Sequence, residues 1–233
     1  MSDLIRLLDN NAVWAANMVE RDPRFFERLQ RQQRPEYLWI GCSDSRVPAN
    51  EIVGLAPGEL FVHRNVANVV FHEDLNCLSV LQYAIDVLQV KHVIVTGHYG
   101  CGGVRAVFDG TPLGMIDDWL QHVAAVRDRH ANTLSAMSPD AAFDRLCELN
   151  VIEQARHVCE TTVVREAWAR GREVAVHGWV YGLHDGLLHD LEFAAHRAED
   201  VEPAYRHAVT AKTFTDQRSN RAGSIPNVRL AGT

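Results

Sequence analysis

Apolar residues recur along this chain at two spacings, and their alternation points to an architecture. Leu4, Leu7, Leu8, Val13, Trp14 and Met18 keep a near-helical period through residues 3–30, broken at Asp22-Pro23. The pattern predicts one or two amphipathic helices outside any sheet, packed on their own domain or on a neighbouring subunit. Short apolar runs follow at 37–41, at 61–64 behind the turn Ala56-Pro57-Gly58-Glu59, and at 93–96, each reading as a strand. Pro48 suits the first turn of a short helix after the first strand. Leu75, Leu78, Leu81, Ile85 and Leu88 carry a helix over 74–90.

Ile116, Trp119, Leu120, Val123 and Val126 define a further helix. Asn150 with Glu153 reads as an N-cap opening a long helix over 151–170, which Gly171 stops. Residues 173–181 form an apolar strand that Asp185-Gly186 turns back into 187–193. Residues 196–233 are polar and weakly patterned, so an extended or partly mobile tail is expected. Strands alternating with helices predict an α/β fold: a mainly parallel β-sheet flanked by helices, with an antiparallel edge hairpin and an N-terminal helical extension. One domain accommodates it, with a helical arm at 1–34, a core at 35–195 and the tail at 196–233.

Composition narrows the function. Hydrophobic residues make up 47% and charged residues 23%, enough apolar material for a sizeable core. The formal charge is −7 and the basic residues are scattered, which argues against nucleic acid and acidic membrane surfaces as partners. No apolar run approaches the ~20 residues of a membrane-spanning helix. The first residues show no basic leader before an apolar stretch, so a cytoplasmic protein is expected.

The five cysteines, Cys42, Cys77, Cys101, Cys147 and Cys159, are odd in number, which points to ligands or buried thiols rather than a disulfide framework. Cys77, Cys147 and Cys159 sit in or beside helical apolar surroundings and read as structural thiols. Cys42 and Cys101 lie among glycines and polar residues, in Gly41-Cys-Ser-Asp44-Ser-Arg46 and Gly97-His98-Tyr-Gly-Cys101-Gly-Gly103. Both stretches follow a strand, where open α/β sheets bind ligands. Cys42, His98, Cys101 and Asp44 make a reasonable tetrahedral zinc set. Three protein ligands with Asp44 held off by Arg46 would leave an open, catalytic position; Asp44 as fourth ligand would close it. When open, zinc lowers the pKa of water to ~7 and yields a hydroxide nucleophile, with Asp44 accepting its proton. The remaining histidines, among them His63, His72, His122, His157 and His177, have no ligand-like neighbours in sequence.

These motifs, with Arg64-Asn-Val-Ala-Asn68 between them in order, resemble the β-class carbonic anhydrases over residues 37–186. The resemblance implies a Zn2+ lyase, one ion per subunit, interconverting CO2 and bicarbonate. It implies Cys42, His98 and Cys101 as ligands, Asp44 and Arg46 as a catalytic dyad, and Gln33 and Gly102 as substrate contacts. Trp39, Arg64 and Tyr181 match the bicarbonate-regulated, type II-like subgroup, in which an effector bicarbonate favours a closed state with Asp44 on the zinc. A homodimer assembling to a homotetramer, its N-terminal helices embracing the partner, is also implied. The rival readings are a carbonyl sulfide or carbon disulfide hydrolase, a zinc or redox sensor without catalysis, and a thiol-nucleophile enzyme.

Overall fold

The computed structural model describes residues 3–31 and 33–211. The arm is two helices, α1 (Asp3–Arg21) and α2 (Phe25–Arg31). Asp22 ends the first and stabilises the second, its carboxylate taking the Arg24 N–H and the Arg28 guanidinium. Trp14 packs edge-on against Phe25 and Phe26. The apolar stripe predicted for α1 is nonetheless left open: Leu4 is 72% and Leu8 71% exposed.

The core is a five-stranded sheet among the described residues, ordered β2-β1-β3-β4-β5. Its strands are β1 (Tyr37–Cys42), β2 (Leu60–Asn65), β3 (His92–His98), β4 (Ala175–Tyr181) and β5 (Leu188–Ala195). The first four pair in parallel, and β5 returns antiparallel beside β4, as expected. Val93 and Val95 are fully buried and Ile94 nearly so, because helices and loops cover both faces of the central strand.

Helices α3 (Ala49–Ile52), α4 (Leu75–Gln82), α5 (Gly102–Asp109), α6 (Ile116–Arg129) and α7 (Ala131–Ser135) connect these strands or lie on them. The helix expected over 74–90 changes character: after α4 it runs as a π-helical turn through Tyr83–Leu88, and left-handed Gln89 ends it. The main core lies between one sheet face and α4 to α6 together with α8 (Pro139–Glu160). A smaller cluster around Trp39, Val47, Ala49 and Leu60, with Trp179 and Tyr181 at its margin, covers the other face.

Two expectations fail. Asn150 and Glu153 do not cap a helix; they lie buried in the middle of α8, which begins at Pro139 behind Ser138 and ends at Glu160. The polar signal was real but tertiary. Asn150 donates to the Ala67 carbonyl at 2.9 Å, and Glu153 accepts from Arg129, His130 and Tyr205. Thr161 is the true cap, opening α9 (Thr162–Ala169) with its hydroxyl on the Val164 N–H. Cys147, which the predicted helix over 151–170 would leave outside, is buried within α8. The tail is likewise shorter than expected, because α10 (Val201–Thr210) packs on β5 and α8. Tyr205 and the Val209 carbonyl hold it there, the latter taking Arg145 at 2.6 Å. The expected tail beyond 211 lies outside the described residues.

Candidate metal centre

Cys42 and His98 are the last residues of the parallel strands β1 and β3 rather than one step past them, and Cys101 directly precedes α5. Neighbouring parallel strands that end together bring the sulfur and the imidazole to one edge. The return from His98 to Cys101 turns through Gly100 at φ +70°, a conformation open to glycine. Gly97 is needed for closeness: a Cβ there would stand 2.5 Å from Val151 Cγ2 and 3.3 Å from Asn68 Oδ1.

One donor atom from each of Cys42, His98 and Cys101 lies within 4.8 Å of the other two, and all three residues are buried. The two sulfurs are 3.9 Å apart. Thiolates at ~2.3 Å from a tetrahedral ion would be separated by about 3.8 Å, so the pair already has the zinc spacing. His98 Nδ1 donates to its neighbour's carbonyl, Tyr99 O, at 3.0 Å, fixing the tautomer that leaves Nε2 bare. That Nε2 is buried without a hydrogen-bond partner. A buried bare nitrogen facing two thiols fits a soft-to-borderline cation and little else.

The contact between the two sulfurs makes them unequal. Cys42 is held far below its usual range, chiefly by the hydrogen bond from Cys101, while the same contact and burial push Cys101 up. The Ala67 N–H adds a bond to Cys42 Sγ at 3.4 Å. Delivering it takes a strained turn, with Ala67 at φ +63° and Asn68 at +47°. The turn is pinned from three sides: Asn65 brackets Val69 N and O, Asn150 takes Ala67 O, and Trp119 Nε1 donates to Val66 O. Arg64-Asn65-Val66-Ala67-Asn68 thus serves the thiolate, a role that neither Trp119 nor Asn150 betrays in sequence.

Asp44 stands beside the three donors but outside their group. Arg46 holds it by two side-chain bonds, Nε to Oδ1 at 2.9 Å and Nη2 to Oδ2 at 2.6 Å, and by its backbone N–H. The guanidinium bonds keep the carboxyl well below the ordinary carboxylate range, so Asp44 is ionised. Its Oδ2 is still only 3.7 Å from His98 Nε2.

Arg64 and Trp39 lie on the paired strands β2 and β1. Arg64 turns its guanidinium onto the carbonyls of Cys42, at 2.8 and 2.6 Å, and of Asp44. Trp39 lays its indole nitrogen over Gly41, where a Cβ would be 2.2 Å away. Tyr181 ends β4 opposite His98 and joins the Trp39 cluster. Gly102 opens α5 with free space where a side chain would stand. Gln33 is exposed at the joint between arm and core.

Residues 37–188 match the family model described as carbonic anhydrase. The chain belongs to the β-class carbonic anhydrases. A carbonic anhydrase of Emericella nidulans is 50% identical over 80% of this chain and 82% of its own length. One from Candida albicans is 34% identical over 86% and 72%. The β-carbonic anhydrase of Coccomyxa, solved with acetazolamide, superposes with a TM-score of 0.83 at 38% identity, covering 96% of this chain and all of that one. A tetrameric β-carbonic anhydrase of Sordaria macrospora gives 0.78 at 37% identity, covering 82% and 98%. This chain is therefore a carbonic anhydrase of a zinc-dependent family, with a Cys-His-Cys site formed from its own residues. Family membership supports CO2 hydration over the sensor and thiol-enzyme readings.

Proposed function

We propose that Cys42, His98 and Cys101 hold one zinc per chain, and that Asp44 and Arg46 work beside it as the catalytic dyad. Zinc bound there supplies Lewis acidity that makes a water nucleophilic near neutral pH. Asp44, kept ionised by Arg46, would accept a hydrogen bond from the attacking water and orient it toward CO2. Bicarbonate forms and one proton leaves to solvent. Two thiolate donors pass more charge to the cation than an all-histidine set, so turnover rises toward alkaline pH. The observation that carries this reading is the buried, partnerless His98 Nε2 facing two thiols beside a clamped carboxylate.

Asp44 is also the switch in this reading. Its Oδ2 sits at ligand-to-ligand distance from His98 Nε2, so release from Arg46 would let it become the fourth ligand and close the site. Arg64 offers bicarbonate a route to that switch. Its guanidinium now supports the carbonyls of Cys42 and Asp44, and an anion bound by Arg64, Trp39 and Tyr181 must compete for it. Effector binding then loosens the turn that carries Asp44, which is how a ligand favours the closed form. The open face of α1 suits a second copy of the chain, with Gln33 carried toward the partner's site, in a homodimer assembling to a homotetramer. The Cys42, Cys77, Cys101, Cys147 and Cys159 thiols, all free, suit a cytoplasmic setting. Removal of residues 1–34 tests the assembly: the truncated chain should sediment as a monomer, and an unchanged oligomer would refute the embracing arm.

A further inference from the structure

We propose that His63, Asp74 and Cys77 form a second site for a divalent cation, with zinc the best match, on the edge strand behind the catalytic centre. One donor atom from each lies within 4.8 Å of the other two, the same closeness that unites Cys42, His98 and Cys101. Sequence spacing hides the group, because His63 comes from β2 and the others from α4 and its cap. Asp74 caps α4 with Oδ1 on the Asn76 N–H at 3.0 Å, which leaves its other oxygen for a ligand. Cys77 follows three residues later, one helical turn on, so the two donors rise on the same side.

The chemistry matches zinc. A sulfur, an imidazole nitrogen and a carboxylate oxygen suit zinc, whereas calcium and magnesium take oxygen sets. Cys77 is 1% exposed and His63 6%, so the thiol and imidazole are enclosed rather than scattered on a surface. Binding forms a sulfur–metal bond as the Cys77 S–H proton leaves to solvent.

None of the three residues serves the catalytic reading, yet their position bears on it. The Asn65 amide nitrogen, which also donates to Val69 O, lies 3.3 Å from His63 Nε2. The same turn delivers the Ala67 N–H to Cys42. A cation here would tie β2 to the start of α4 beneath that turn, as a structural clamp.

The full-length protein, stripped by chelation, reloaded with excess zinc and dialysed against metal-free buffer, decides the matter by elemental analysis. Two zinc per chain are expected. Asp74→Asn, which keeps an oxygen for the helix cap, and Cys77→Ala should each leave one, with CO2 hydration retained. If Cys77→Ala does not fold, Asp74→Asn alone decides. One zinc in the wild-type chain overturns the proposal, and so do two zincs that survive both substitutions.

Discussion

Trp39→Phe tests the proposed bicarbonate-effector site, whereas the more obvious Trp39→Ala does not. Trp39 is 1% exposed and anchors the smaller core with Val47, Ala49 and Leu60. Truncation to alanine would leave a cavity costing about 3–5 kcal/mol, a large part of the stability of any domain. Loss of inhibition in that variant would prove little. Phenylalanine keeps an aromatic ring in the cluster and deletes the indole N–H that lies over Gly41. A hydrogen bond to an anion contributes about 1.5–3 kcal/mol, so bicarbonate inhibition should weaken roughly 10- to 150-fold. Basal turnover should hold, because the N–H touches neither His98 nor the thiols. The assay is stopped-flow CO2 hydration against added bicarbonate at fixed pH, with zinc content and Tm measured on the same samples. Equal inhibition constants in the two proteins, with zinc and Tm intact, would refute the effector role.

Other consequences follow from the same geometry. Asp44→Asn keeps the size of the side chain but removes the charged hydrogen-bond acceptor proposed to orient the water, so kcat should fall about 100-fold or more while zinc content, read by elemental analysis, stays near wild type. Gly97→Ala drives a Cβ to 2.5 Å from Val151 Cγ2 and should lower stability by about 1–3 kcal/mol in urea melts, with weaker zinc retention because His98 is the next residue. Glu153, buried and bonded to Arg129, His130 and Tyr205, keeps a depressed pKa despite burial. Its stabilisation is therefore full above its unfolded value and lost as pH falls through the folded one. Melts followed into acid should show that loss, and Glu153→Gln should flatten the slope at a cost of about 2 kcal/mol at neutral pH.

The strands and the three donors were legible in the sequence because both are local. Periods of two and of 3.6 mark strands and helices, and Cys42 and His98 carry glycines and polar partners that a buried structural residue does not need. What escaped was tertiary. Asn150 and Glu153 look like a cap, and nothing along the chain says that Ala67, Arg129 and Tyr205 will be waiting for them in the middle of α8. Tyr99 is the same case: its hydroxyl donates to Glu148 at 2.7 Å, Glu148 accepts from Arg145, and Arg145 reaches α10, anchoring the residue beside His98 through partners far along the chain. The helix in the tail did leave a local trace, since Val201, Ala204, Tyr205, Ala208 and Val209 keep a helical apolar stripe that packs on the core. His63 and Cys77 read as isolated because their meeting is tertiary, one lying on β2 and the other on α4.

Stopped-flow CO2 hydration on zinc-quantified protein, run from neutral to alkaline pH with and without bicarbonate, tests the account most directly. Turnover should climb with pH and be suppressed by bicarbonate. Zinc-loaded protein that hydrates no CO2 at any pH would contradict the account at its root.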